Sequence, residues 1–432
     1  MNKKLSIIIL AAGAGTRMKS TKPKVLHTIS GREMLYYSIK EALKLSNDIT
    51  VVLYHQAKRV QESMEKHFSN INFVIQDHAK FPGTGGAVMG IKPKHEKTLV
   101  LNGDMPLIQA TELDKFSCDD ATIVMSVLNL KDPSGYGRVI VENGDVKKIV
   151  EQKDATEKQK AINIVNAGIY QFDTNFLLET LPKLSNDNVQ KEYYITDLVE
   201  LAILGKKVVH PLTVSEENFK GVNSKVELAQ AEVIHQNRIK KTFLENGVIM
   251  RLPDTIYIEE GVQIQGESIL ENGVSLLGDS KIIDSHIKTN SIVEDSVLTN
   301  SDVGPMARIR PQSELTDTHI GNYVEVKKSI LTGVKAGHLS YIGDATIDEG
   351  TNVGAGMITC NYDGINKHKT IIGKNVFIGS DTQLVAPIVI EDDVMIAAGS
   401  TITKDLKKGE LALTRAPLKT IKGFFYKFFS QK

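Results

Sequence analysis

Six aliphatic residues near the end of the chain, Ile372, Ile378, Leu384, Ile390, Ile396 and Ile402, stand six positions apart without a slip. The same step runs earlier through Ile258, Ile264, Leu270, Leu276 and Ile282. An amphipathic helix repeats its apolar positions every three to four residues and a half-buried strand every two, so neither accommodates this period. A parallel β-helix does: each six-residue unit forms one flat side of a prism and sends its aliphatic residue inward. Small residues follow the anchors in Ile372-Gly373, Ile378-Gly379 and Ile396-Ala397, where the chain must turn a corner. Three units per turn give about eight turns between residues 258 and 402. A β-sandwich of short strands is the competing architecture. The unbroken step through six consecutive aliphatics counts against it.

Upstream the pattern changes character. Leu5–Leu10 is a continuous apolar run of the kind buried on both faces of a parallel sheet. Strand signals at 49–54, 73–75, 98–101 and 123–128 alternate with helix signals at 33–45 and 59–68. The chain therefore reads as an α/β domain with a largely parallel sheet over residues 1–225. Residues 224–244 contain no Gly or Pro and form a helix that reaches Asn246-Gly247. That sets a linker helix at 226–246 and a second domain at 247–432. The array is interrupted at 357–370 by a polar excursion containing Asn361-Tyr362-Asp363-Gly364, and such excursions in solenoids collect on a binding face.

Composition excludes more than it proves. The 52 basic and 52 acidic residues balance, which argues against a nucleic-acid partner. Two cysteines, Cys118 and Cys360, provide no disulfide framework and suit the cytoplasm. Lys3 and Lys4 ahead of an apolar run imitate a signal peptide, but the run ends in a glycine-rich loop with Arg17, so a strand entering a phosphate loop is the better reading.

Three stretches of the first domain carry chemistry. The string Leu10-Ala11-Ala12-Gly13-Ala14-Gly15-Thr16-Arg17, followed by Lys24, combines backbone N–H groups free to approach phosphate oxygens with two matching cations. It lacks the Gly-Lys-Ser/Thr of a P-loop and the third glycine of a dinucleotide site. Asn102-Gly103-Asp104 follows a strand, where Asp104 either holds a hard cation such as Mg²⁺ or caps the next helix. Gln76 with Gly83-Thr84-Gly85, Gly137, Glu151, Asn166 and the Lys220–Asn223 stretch complete the set.

In this order these motifs resemble those of sugar nucleotidyltransferases. Ahead of a hexapeptide array they resemble the bacterial bifunctional enzymes that join a uridyltransferase to an acetyltransferase. The resemblance covers nearly the entire chain and implies a left-handed β-helix for the second domain. It further implies Asp104 and Asn223 on Mg²⁺, and Arg17 and Lys24 steadying the phosphates. Leu10, Ala11, Ala12, Gly13, Lys24, Gln76, Gly83, Thr84, Asn102, Gly103, Asp104, Gly137, Glu151, Asn166 and Asn223 would lie on UTP or the sugar nucleotide. Two departures stand near the nucleotide: residues 77–82 are longer than usual with Gly86 in place of a common histidine, and Asn102 replaces a common tyrosine.

Many β-helix tails on nucleotidyltransferases are structural or regulatory, so the second domain needs evidence of its own. A lone histidine is usually structural, but His338 has polar company in Arg310, Lys327, Tyr341, Asn352, Asn361, Tyr362 and Lys367. Imidazole titrates near neutral pH and takes a proton from an amine attacking a thioester. The resemblance makes His338 the general base and places Arg310, Lys327, Tyr341 and Asn352 on glucosamine 1-phosphate. Glu325 would orient the amine. Ala355, Asn361, Tyr362, Ser380, Ala398 and Arg415 would lie on acetyl-CoA. The expected product is UDP-N-acetylglucosamine, made by acetylating glucosamine 1-phosphate and then transferring UMP from UTP. A monofunctional nucleotidyltransferase with a structural β-helix and a non-catalytic regulatory subunit are the alternatives. A homotrimer follows from the family's shared sites. The aromatic and basic tail, 423–429, is expected to fold against a neighbouring subunit or near the CoA site, with contact to a membrane surface as the alternative.

Overall fold

The computed structural model describes residues 4–118, 120–134, 136–150, 152 and 155–429. The chain forms two compact units, Met1–His235 and Gln236–Lys432, and the division falls inside the helix Lys225–Glu245.

The first unit is built on a mixed sheet. Its strand order is Val209–Thr213, Ile123–Asn129, Ile164–Asp173, Lys97–Asn102, Leu5–Ala11, Asp48–Leu53 and Asn72–Ile75. All neighbours are parallel except Ile164–Asp173, which runs antiparallel to both of its neighbours. The hairpin Arg138–Glu142 and Asp145–Val150 hangs from that strand. Leu5–Ala11 lies centrally, with Ile7, Ile8 and Ile9 almost wholly buried, which is why its apolar run does not alternate. It pairs with Asp48–Leu53 on one side and Lys97–Asn102 on the other. The chain crosses over there, and the crevice at such a switch point is the usual ligand site of open α/β sheets. Helices Met34–Leu43 and Ala57–Met64 are shorter than the apolar spacing suggests.

The second unit is a left-handed parallel β-helix whose three faces carry ten, nine and eight strands. Nine strands lie on the face running from Tyr257–Ile258 to Thr401–Ile402, which makes eight turns between residues 258 and 402. Its core is a single stack of inward aliphatics, in which each Val, Leu or Ile contributes about 1.5–3 kcal/mol by burial. Between Ile282 and Val353 the anchors are Ile287, Val293, Leu298, Val303, Ile309, Leu315, Ile320, Val326, Leu331, Ala336, Ile342 and Ile347. Their steps mix five and six. On five-residue sides the residue two past the anchor turns the corner with a left-handed backbone, as at Asp284, Asp295, Asn300, Asp317 and Asp344, where φ lies between 41° and 53°. Asp and Asn tolerate that region better than most residues.

The polar excursion is narrower than its composition suggests. Ile358–Cys360 is still a ladder strand, paired with Gln383–Val385. Its inward position is held by Thr359, fully buried, whose hydroxyl accepts from Gly343 N–H at 2.7 Å and donates to Gly343 O at 3.0 Å. The loop proper begins after Cys360 and is pinned by the Tyr362–Lys367 bridge.

Candidate functional site

In the first unit, register puts Leu10 beside Asn102 and Ala11 beside Leu53, and Gly103 N–H donates to Leu10 O at 2.9 Å. The glycine-rich turn and Asp104 therefore share one edge of the sheet. Lys24 donates to the Asp104 carboxylate and, at 2.7 Å, to Asn223 Oδ1. Arg17 reaches the same oxygen at 2.8 Å. Asp104 and Asn223, distant in sequence, thus converge on one cation, the Lys24 ammonium. A carboxylate and an amide oxygen meeting there form a donor set suited to Mg²⁺ completed by substrate phosphates. Gly15, at φ 63°, lets the loop close on Lys24, since a Cβ there would come within 2.5 Å of Lys24 Cβ.

Two cavities meet at Asn102 and Asp104. One, of about 480 Å³, is lined by Leu10, Ala12, Gly13, Gln76, Gly83 and Thr84 among others. The other, of about 690 Å³, is lined by Tyr136, Asn166, Lys220, Gly221, Asn223 and Glu227 among others. Gln76 is buried and spends both amide hydrogens on Phe81 O and Gly83 O, at 2.8 and 3.0 Å. Thr84 Oγ1 accepts from Ile195 N–H. Asn102 donates to Gly168 O, and Asn166 to the Tyr170 hydroxyl at 2.6 Å. Ala11 is buried in its strand rather than on a cavity wall. Tyr136, not Gly137, lines the second cavity. Glu151 lies outside the described residues.

Sequence reasoning passed over Glu227. Its carboxylate accepts the Asn223 N–H at 2.7 Å and the Ser224 hydroxyl at 3.1 Å, while Glu227 N–H donates to Ser224 Oγ at 3.3 Å. The signal was present, because Ser224-Lys225-Val226-Glu227 has the spacing of a capping box at a helix start. Here the box holds Asn223 in place.

In the second unit, Asn322 pairs with His338, and the anchors Ile320, Ala336, Val353, Ile378 and Ile396 are in register on successive turns. Two residues past each anchor stand Asn322, His338, Ala355, Ser380 and Ala398. These five line one corner of the prism, so the histidine heads a column of small residues. Its span from His338 to Ala398 is about 15 Å at one strand spacing per turn. The residues between, Gly354 and Gly379, have no room for a Cβ, because the backbones at Ser380 and Ala398 lie against them. Arg415 Cγ and Cδ lie 3.9 Å from where a Gly399 Cβ would stand, near the far end. His338 is exposed, and among the described residues its imidazole makes no hydrogen bond within the chain.

On the adjoining face, Arg308, Glu325 and Tyr341 align in register, as do Arg310, Lys327 and Gly343. Arg310 donates to Glu325 at 2.7 Å, which raises the guanidinium's pKa. Lys327 stands against Lys367 and near Arg310, and contact with Lys367 lowers its pKa below the ordinary lysine value. Three cations gathered this closely favour a dianion. Asn361, expected on acetyl-CoA, is buried and donates to Asp344 at 2.6 Å, a bond that anchors the start of the loop. Tyr362 is exposed and donates to Gly364 O at 2.6 Å. Asn352 lies outward between Lys335 and Phe377.

Comparison with known proteins agrees with both halves. Residues 6–216 match the nucleotidyl transferase family and residues 369–404 the bacterial transferase hexapeptide (six repeats) family. The chain is 76% identical over 432 residues to the bifunctional protein GlmU of Aliarcobacter butzleri, covering 100% of both. It is 63% identical over 426 residues to the bifunctional protein GlmU of Wolinella succinogenes and 61% over 426 residues to that of Nitratiruptor sp., covering 99% of each chain in both cases. An edge where Lys24, Asp104 and Asn223 meet in one unit, a corner column headed by His338 in the other, and identity along the full length together place this chain in the bifunctional GlmU family.

Proposed function

We propose that the chain makes UDP-N-acetylglucosamine at two separate sites, acetyl transfer in the β-helix unit and uridylyl transfer in the α/β unit. The observation that carries the bifunctional reading is the corner column, in which His338 heads a line of small residues, together with three cations gathered on the adjoining face. A purely structural coil has no need of either. Arg310, Lys327 and Lys367 hold the phosphate of glucosamine 1-phosphate, with Tyr341 and Asn352 beside the sugar and Glu325 orienting the amine. Acetyl-CoA lies along Ala355, Ser380 and Ala398, with Tyr362 near the loop and Arg415 on a CoA phosphate. His338 takes the proton that the amine sheds as its nitrogen bonds to the acetyl carbon and the thioester C–S bond breaks.

In the α/β unit, UTP occupies the cavity bounded by Leu10, Ala12, Gly13, Gln76 and Thr84, and the sugar phosphate that bounded by Tyr136 and Asn166. Gln76 Oε1 accepts the N3–H of uracil, since its amide hydrogens are committed. Asp104 and Asn223 would hold Mg²⁺, which would neutralise phosphate charge there. Arg17 and Lys24 steady the triphosphate while a sugar-phosphate oxygen attacks the α-phosphorus in line and pyrophosphate leaves. No covalent enzyme intermediate forms. The protein acts in the cytoplasm, consistent with two free cysteines in separate units. It acts as a homotrimer, for which the outward column Phe377, Met395 and Leu411 supplies an apolar face. Sedimentation equilibrium returning a monomer at micromolar concentration would sink the trimer.

The test of function is an assay with UTP, acetyl-CoA and glucosamine 1-phosphate, each omitted in turn. Product should require all three. When N-acetylglucosamine 1-phosphate is supplied instead, acetyl-CoA should become dispensable. Full activity without acetyl-CoA from glucosamine 1-phosphate would overturn the two-site scheme.

A further inference from the structure

The lengthened segment after Gln76 is an ordered turn. Gln76 N–H donates to Leu53 O at 2.8 Å, His78 N–H to Gln76 O at 2.9 Å and Phe81 N–H to Asp77 O at 2.7 Å. The turn closes so tightly on the helix Gly83–Val88 that a Cβ on Gly86 would overlap the Phe81 carbonyl. Extra backbone fills the space a side chain at 86 would need. The turn also sets His78 flat against Tyr54, at the end of the neighbouring strand, with ring centroids 4.4 Å apart and planes 10° from parallel. Both rings line the 480 Å³ cavity together with Gln76, Gly83 and Thr84. Among the described residues, neither the His78 imidazole nor the Tyr54 hydroxyl hydrogen-bonds within the chain.

We propose that the Tyr54–His78 stack is a base-contacting wall of the nucleotide cavity, which holds the uracil of UTP against Gln76 and so sets the affinity for UTP. A preassembled aromatic pair presents a rigid, low-entropy surface suited to a planar base, whereas the phosphates are served by the cations Lys24 and Arg17. The proposal rests on the uridylyl-transfer reading.

The experiment compares wild type with Tyr54→Ala, His78→Ala and His78→Phe in steady-state uridylyl transfer, with acetyl transfer measured in the same preparations. Loss of a base–aromatic contact raises KM for UTP by about tenfold or more. KM for N-acetylglucosamine 1-phosphate, kcat and acetyl transfer should stay near wild type, and His78→Phe should restore most of the UTP affinity. If KM for UTP is unchanged, or both KM values rise together, or only kcat falls, the stack is structural and the proposal fails. Should Tyr54→Ala not fold, the His78→Ala and His78→Phe pair decides alone. A wild-type protein that does not use UTP would instead remove the underlying reading.

Discussion

The two units assemble their sites by opposite means. In the α/β unit, Lys24, Asp104 and Asn223 meet although 199 positions separate the lysine from the asparagine. Only the order of strands in the sheet brings them together. In the β-helix, His338, Ala355, Ser380 and Ala398 form a line because each stands two residues past an anchor of the same ladder. A solenoid converts sequence spacing into spatial position by a fixed rule; a crossover sheet does not. Damage should therefore stay local in the second unit and be carried by topology in the first, and the two activities should separate cleanly.

The largest expected separation comes from Asp104→Ala. Removing the carboxylate that pairs with Lys24, and that we propose holds the metal, should lower uridylyl transfer by about three powers of ten or more, while acetyl transfer stays intact. Measuring both half-reactions on one preparation checks it, and equal loss in a folded protein would mean that the sites are coupled. His338→Ala is the mirror experiment. Acetyl transfer should fall by roughly two to four powers of ten, with uridylyl transfer unaffected. Acetyl-CoA binding, read by calorimetry, should persist, and its loss would return the histidine to a structural role.

Ile378→Ala sharpens the comparison at the level of stability. Its side chain is fully buried in the ladder, so truncation should cost about 2–5 kcal/mol. Scanning calorimetry should show the β-helix transition moving down while the α/β transition stays in place. Lys367→Ala should be milder, raising KM for glucosamine 1-phosphate by about tenfold with kcat little changed, because one of the charged contacts proposed for the phosphate would be lost.

The smallest effect concerns the loop. Backbone N–H of Asn366, then His368, then backbone N–H of Ile365 hold the Asp363 carboxyl down at about 2 from an ordinary 3.8. A depressed carboxylate contributes its stabilisation above the ordinary value and loses it as the pH falls through the depressed one. The loop should thus keep its bonds to Asp363 across the neutral range and release them only near pH 2. An NMR titration of Asp363 reads this directly, and a midpoint near 4 would show that the carboxylate is not held.

How far the sequence could be read follows from the same contrast. The ladder was legible because burial of an anchor is a local requirement repeated many times. The glycine-rich turn after Leu5–Ala11 was legible because a chain that closes this tightly on Lys24 needs small residues such as Gly15. The five-residue sides between Ile282 and Val353 were not, since their regularity lies in corner backbones such as Asp284 and Asp295 rather than in a constant spacing. Thr359 hid an anchor behind a polar side chain that is satisfied by Gly343.

By itself, then, the sequence determined the two architectures, the reaction classes they resemble and the identity of most charged groups, because these depend on short-range spacing and residue chemistry. The tertiary structure decided which oxygens share the Lys24 ammonium and that Tyr54 and His78 form one stacked wall. Each of those contacts joins segments on different strands or loops. Their meeting depends on strand order and on the path of a turn, which no local pattern encodes.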